Sequence, residues 1–397
     1  MGSFEILNFS CPHRSSLAVQ PMRSYSFLSI LLILMSAACV DRIFYDVGNG
    51  AGLGIVIDGY ISDQPGPYMI QINSGHDLEN KINRQAISVK ELRISDNHGA
   101  QEVLSEVNTG VYQTRPTGIR GTVGRVYTLH LETFDGRVYE SAPDTLMPPG
   151  SLDSLYYTFK DEKTFLGNHK YGFDILFNST TPEGKFRFLW KFTGTFKCDA
   201  YPGANHNECF YLGDRCNFAP PCSGLRNIGG YTPQTAIWVQ AEPCTCCTCW
   251  YNLFNDKPML SDSRLLRFGR YAGLQAYYVP VTQWIFQNKI HIDMTQMSLS
   301  SQTFAFWKAI YDQKEATNSL FQPITGKIPS NFVQTSGKSA PVAGLFFAAG
   351  ISHKSRYLTR GDVPNELYIP ADGIPLGDDC RKFFGNSSNV KPDFWVD

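Results

Sequence analysis

Apolar and polar residues alternate with a period of two along most of this chain, and a helical period holds over one stretch only. Ile55-Val56-Ile57 leads through Gly59-Tyr60-Ile61 into the turn Gln64-Pro65-Gly66-Pro67. Tyr68-Met69-Ile70-Gln71-Ile72 and Val89-Lys90-Glu91-Leu92-Arg93-Ile94 alternate as strands with one buried face do. Asn97-His98-Gly99 then turns the chain, and Val126–Thr133 and Arg137–Ser141 flank Asp135-Gly136, a pair suited to a tight type I′ turn. Strands at this spacing predict an antiparallel, immunoglobulin-like β-sandwich over residues 55–147. No cysteine falls in that segment, and no polar cluster suggests a ligand site within it.

After Pro148-Pro149-Gly150, which reads as a hinge, the period-two pattern resumes in Tyr171–Phe177 and in Phe186–Phe192, where apolar and basic residues alternate. Residues 151–397 are therefore expected to form a larger β-rich domain. Its main helix is predicted at about Ser300 to Leu320, with Phe304, Trp307, Ile310 and Tyr311 on one face and Ser300 or Ser301 as cap. That stripe suits packing on a sheet. The fold class is thus mainly β, a sandwich followed by a β-rich domain with one main helix and a disulfide-rich loop.

A different pattern precedes the first strand. Arg23 is followed by an apolar run, Phe27 to Cys39, that closes with Ser36-Ala37-Ala38 directly before the cysteine. A basic flank, an apolar centre and small residues at the cut make a secretory signal peptide, and a cysteine at the cut resembles a lipobox. The run is about a dozen residues, short of the roughly 20 that cross a bilayer as a helix. Cleavage before Cys39, acylation of its thiol and a body outside the cytoplasm are expected. Residues 1–38 are then the signal peptide, with Met22 as the expected start because residues 1–21 lack periodicity. Residues 39–54 hold the lipidated cysteine and a Gly48–Gly52 tether.

Composition narrows the function classes. A formal net charge of −1 without a basic stripe gives no footprint for nucleic acid. Nine cysteines remain beside Cys11 and Cys39: Cys198, Cys209, Cys216, Cys222, Cys244, Cys246, Cys247, Cys249 and Cys380. In an oxidising compartment such density predicts disulfides, and an odd number leaves one thiol over. Eight of the nine, all but Cys380, lie in a Gly/Pro/Asn-rich insertion, residues 198–249, that has little else to build a core.

Three sharper chemistries compete with these staples. Cys244, Cys246, Cys247 and Cys249 contain two interlaced C-x-x-C spacings, but a structural zinc site joins two separated knuckles, which the upstream cysteines do not supply. A redox C-x-x-C belongs beside a βαβ unit, and no such pattern occurs. His206-Asn207-Glu208 followed by Pro243-Cys244 and Cys247 matches the outline of a zinc deaminase, in turn-prone sequence where that chemistry needs helix starts. Gly337-Lys338-Ser339 lacks the upstream glycine of a P-loop, and Asp372, Asp378 and Asp379 read as solvated loop acids. No cofactor and no metal is expected. Asp144-Thr145-Leu146 and Asp153-Ser154-Leu155 resemble an O-glycosylation pattern, which makes Thr145 and Ser154 candidate acceptors.

The order GYISDQPGPYMIQI, VKELRISDNHG, GVYQT, VGRVYTLHLETFDGRVYES, DSLYY, CWY, LSSQTFAFWKAIYDQ, LFQP, Pro329-Ser330-Asn331, GLFFAAGISHK and DDCRKFFGNSSNVKPDFW resembles a lipoprotein family of Bacteroidota, domain of unknown function 4249. The likeness covers nearly the whole chain after Cys39 and departs at Cys198–Cys247, where cysteines are denser. The resemblance implies pairing of Cys249 with Cys380. It also implies an outer-membrane, lipid-anchored protein facing the cell exterior, without catalytic activity, that partners a TonB-dependent receptor in nutrient capture. The alternative is a stand-alone surface module binding carbohydrate or peptide through aromatics such as Trp238, Trp250, Tyr251 and Trp284. Reduction is expected to loosen the insertion and leave the cysteine-free sandwich folded.

Overall fold

The period-two segments fold as strands, and their alternation matches which side chains are buried. In Val126–Glu132 the residues Tyr127, Leu129 and Leu131 point into a core while their neighbours stay partly exposed. The computed structural model describes residues 54–74, 85–163, 167–182, 186–201, 220–230, 235, 237–317, 330–367, 379–385 and 387–396, and the statements below concern these. Cys39, Cys209, Cys216, His206 and Glu208 lie outside them. The fold is mainly β, with one α-helix among the described residues, α1 (Ser301–Thr317).

In the N-terminal part, Ile55–Ser62, Met69–Ser74, Ser105–Asn108 and Val111–Gln113 belong to one sheet, and Glu91–Asp96, Gln101–Val103, Val126–Glu132 and Val138–Ser141 to a second. Their apolar faces share one core, in which Ile57, Ile70 and Ile72 meet Leu92, Leu129 and Tyr139. Two strands from far downstream complete it. Phe332–Ser336 pairs antiparallel with Val138–Ser141, and the strand Val342–Thr359 runs parallel to Ile55–Ser62 from Val342 to Ala349. Phe332, Phe346 and Ala348 enter the same core.

From Gly350 to Thr359 that strand changes partner and pairs antiparallel with Lys289–Ser298. One strand of 18 residues therefore belongs to both halves of the molecule. Both of its faces are covered at the middle: Phe346 and Ala348 face the first core, while Leu345, Phe347 and Ala349 join Leu189, Met297 and Leu299 beneath α1. Where the partner changes, Met147-Pro148-Pro149 crosses the strand so closely that a Cβ at Gly350 would lie 2.3 Å from the Met147 carbonyl oxygen. Only glycine fits there. Buried Asp144 fixes the same junction, since its Oδ2 accepts from Thr303 Oγ1 of α1 and from the Ala348 amide, both at 2.9 Å.

In the C-terminal part, the three-stranded sheet Ser151–Lys163, His169–Thr180 and Arg270–Pro280 packs over Phe188–Asp199, Thr248–Phe254 and Lys289–Ser298. Phe173, Phe177, Trp190, Phe192, Tyr271 and Met294 fill the space between. One polar residue is accommodated at its edge: Gln296 Oε1 accepts from Trp190 Nε1 at 2.7 Å and from Ser179 Oγ at 2.5 Å. α1 starts where expected, with Ser300 Oγ accepting from the Thr303 amide at 3.2 Å. Phe304 and Trp307 pack on the sheet.

One turn differs from expectation. Asp135 does not take the positive φ that a type I′ turn needs at both central residues. Instead Thr133–Gly136 closes with a Gly136 amide to Thr133 carbonyl bond of 3.0 Å, and Gly136 at φ 81° absorbs the extra residue. This is a type I turn followed by a glycine bulge, held by Asp135, whose carboxyl falls to about 2 because Arg137 and Thr133 donate to it.

Candidate functional site

The cysteine segment 244–249 acts as a hub. Cys244 bonds to Cys247 (Cα–Cα 5.7 Å), Cys246 to Cys222 (5.5 Å) and Cys249 to Cys380 (5.8 Å). Backbone bonds reinforce the same segment, from the Thr245 amide to the Cys222 carbonyl, from Ala200 to Cys247 and from Cys380 to Cys246. Cys222, Cys246 and Asp379 each place a potential ligand atom within 4.8 Å of the others. The two sulfurs are joined to one another, so neither offers the thiolate a zinc ion requires. Asp379 is occupied too: Arg381 donates to it, holding its carboxyl below the usual range.

Cys198 is the free thiol among the described residues. It is fully buried directly across the antiparallel pair from Cys249. Burial pushes its pKa up to about 12, and Asp199 adds to the shift, so the nucleophilic thiolate is scarce at neutral pH.

The candidate aromatics for ligand stacking are distributed otherwise than expected. Trp250 and Tyr251 are buried, and Trp284 packs against the C-terminal core. Trp395 rests against Trp250 and Tyr357, with Lys289 over both the Tyr357 and Trp395 rings. Trp238 sits half-buried on the short strand Trp238–Gln240. The candidate acceptors Thr145 and Ser154 are half-buried on strands, and Ser154 Oγ accepts from Asn178 Nδ2 at 2.8 Å.

Open space lies instead between α1 and the segment Phe254–Leu265. A cavity of about 800 Å³ is lined there by Met259, Tyr277, Phe304 and Tyr311, and a second of about 410 Å³ by Phe254, Trp307, Ile310 and Lys191. Residues 255–258 line both. That divider is tied to the helix by Lys257, 2.5 Å from Glu315, and by Lys314 donating to the Asp256 carbonyl. Most charges on the walls are already paired. Arg264 bonds to Asp262 at 2.6 Å, lowering the pKa of that carboxyl, and Lys308 pairs with Asp312 one turn along α1.

Lys191 is placed differently. It follows Trp190 on the strand Phe188–Asp199, and its ammonium lies 5.8 Å from the centre of the Tyr60 ring and 5.6 Å from that of Trp307. Solvent reaches the side chain, yet protein crowds it from the concave walls. That crowding pushes its pKa down against the opposing pull of Asp58. A cation between aromatic faces in an open cleft can hold a ligand with an apolar body and an anionic or carbonyl group. The sequence signal was faint: Lys191 is one of two basic residues in an alternating strand, and only tertiary packing puts it beside Trp307.

No curated protein and no solved structure matches this chain. A family model does, over residues 41–355, which takes in both sheets of the N-terminal part, the cysteine segment 244–249 and the cleft, though not Cys380. With most of its length so matched, the chain belongs to the family described as Domain of unknown function (DUF4249).

Proposed function

We propose that this chain is a lipid-anchored outer-membrane protein, facing the cell exterior, that serves a TonB-dependent receptor as a non-enzymatic accessory in nutrient capture. The observation that carries the compartment is the three-bridge hub at residues 244–249, since bridges of this kind persist where thiols are oxidised. The signal-like run ending at Cys39 supplies the anchor in this reading. A single acyl chain holds a protein only marginally, so several chains on Cys39 are required. The cleft beside α1 supports capture rather than turnover: its charged walls pair with one another, and Lys191 lies between aromatic faces. Isolation of the anchored chain from outer membranes in mild detergent tests the partnership.

That cleft also favours a second reading, a surface module that binds carbohydrate or peptide alone. A glycan and peptide array tests it: hits lost in Trp307→Ala support the stand-alone module, and an array without hits removes it.

A further inference from the structure

At the end of the segment bordering the cleft, the chain makes a two-residue hairpin whose tip has an unusual composition. Arg267 and Arg270 exchange both backbone bonds at 2.9 Å, leaving Phe268 and Gly269 as the turn. Both have positive φ, 50° and 73°. This is the geometry that asparagine, aspartate and glycine adopt readily and a bulky side chain does not. Phe268 is the only non-glycine residue with positive φ among those described. Its ring gains nothing in exchange, being fully exposed at 108%. The folded chain alone gives no reason for phenylalanine at this position.

The surroundings supply a reason. Arg267 and Arg270 flank the turn and are exposed, while the preceding turn carries exposed Arg264 and Leu265, which border the larger cavity; the formal net charge of the chain is −1. Arg264 pairs with Asp262, and Arg270 lies 3.5 Å from Asp153. Arg267 donates only to the carbonyls of Arg264 and Leu266, and no carboxylate pairs with it among the described residues. The tip is held firmly, because the Gly269 carbonyl accepts from both the amide and the hydroxyl of Thr181. A rigid convex finger with an apolar end and a basic collar suits a planar anionic surface better than a groove.

We propose that the Arg267–Arg270 finger docks on the surface of an anionic lipid bilayer, Phe268 entering the headgroup region and Arg267 and Arg270 contacting lipid phosphates. It goes beyond the anchored reading and rests on it only for the nearness of a membrane. Its test therefore uses the mature body from Val40 to Asp397, which carries neither the apolar signal run nor an acyl group. Cosedimentation is measured with vesicles of phosphatidylcholine alone and with an equimolar phosphatidylglycerol mixture. Binding is expected on the anionic vesicles, reduced about tenfold in Phe268→Asn and about fivefold in Arg267→Gln. Asparagine tolerates this φ, so the thermal midpoint of Phe268→Asn should equal or exceed that of its parent, which separates lost docking from lost folding. Equal partition of parent and variants overturns the proposal. So does loss of receptor co-isolation in Phe268→Asn without any change in vesicle binding, which would assign the finger to a protein partner.

Discussion

The Cys249–Cys380 bridge closes the longest covalent loop of the described residues, and its removal has a calculable consequence. Its cysteines are 131 residues apart, against 24 for Cys222–Cys246. Loop-closure entropy gives about 5 kcal/mol for the first and about 3.5 kcal/mol for the second, with about 2–4 kcal/mol typical of measured bridges. Replacing each pair by alanine also removes buried sulfur, but that cost is nearly common to both double variants. Their difference, about 1.5 kcal/mol, therefore reads the loop-length term itself. With an unfolding entropy scaled to a body of about 350 residues, the difference amounts to about 2 °C in melting temperature. Differential scanning calorimetry of Cys249→Ala/Cys380→Ala beside Cys222→Ala/Cys246→Ala measures it. The strands Phe332–Ser336 and Val342–Thr359, which complete the N-terminal sandwich, lie between Cys249 and Cys380. Loss of that bridge should consequently lower the melting of both halves, and not of the C-terminal half alone as the cysteine-free sequence of residues 55–147 suggests. Equal melting of the two double variants, or an N-terminal half that melts unchanged, would refute this reasoning.

Other consequences are simpler to score. Cys198 should resist a thiol reagent at neutral pH in the native protein and react fully in denaturant, because it is buried and its pKa is pushed up to about 12; rapid native labelling would contradict its placement. In Cys380→Ala, peptide mapping without reductant should find Cys198 linked to Cys249, its cross-strand partner, and a free Cys249 would show that the two sulfurs do not meet. Asp144→Ala leaves the Ala348 amide and the Thr303 hydroxyl without their shared acceptor and should cost about 3 kcal/mol in denaturant unfolding. Asp144→Asn, which keeps an acceptor oxygen, should lose less, and equal losses would deny the bond its role. Burial lowers the pKa of His291, which stacks on Phe394 at 4.4 Å. The unfolded chain then binds that proton more strongly, so stability should fall as pH drops below about 6.5. Burial raises the pKa of Asp293, which acts in the opposite sense. His291→Gln should flatten the slope of melting temperature against pH, and parallel slopes would exclude the histidine.

Local signals carried much of this structure. The strand Val126–Glu132 and the capped start of α1 follow from period and side-chain chemistry that are readable over a few residues. What failed to show was non-local. Gly344-Leu345-Phe346-Phe347-Ala348-Ala349-Gly350 is an apolar run with no alternation because both its faces are covered, and nothing within it reveals that it pairs with residues 55–62. The Asp135-Gly136 pair announced a turn but not its type, which one extra residue decided. Aromatic residues on strands give no sign of their own exposure: Trp250 and Tyr251 look as suited to binding as any, yet are buried, while Trp307 of the packing stripe borders a cavity. The finger at Phe268 is invisible in the pattern, since Arg-Phe-Gly-Arg becomes informative only when the φ angle and exposure of Phe268 are known.

The partnership proposed for this chain is tested most directly by affinity isolation of the full anchored protein from outer membranes under mild detergent, with the co-purified proteins quantified by mass spectrometry. The account predicts one TonB-dependent receptor recovered in stoichiometric amount with the chain. Recovery of the chain alone, still acylated at Cys39 and still bridged between Cys249 and Cys380, would contradict it.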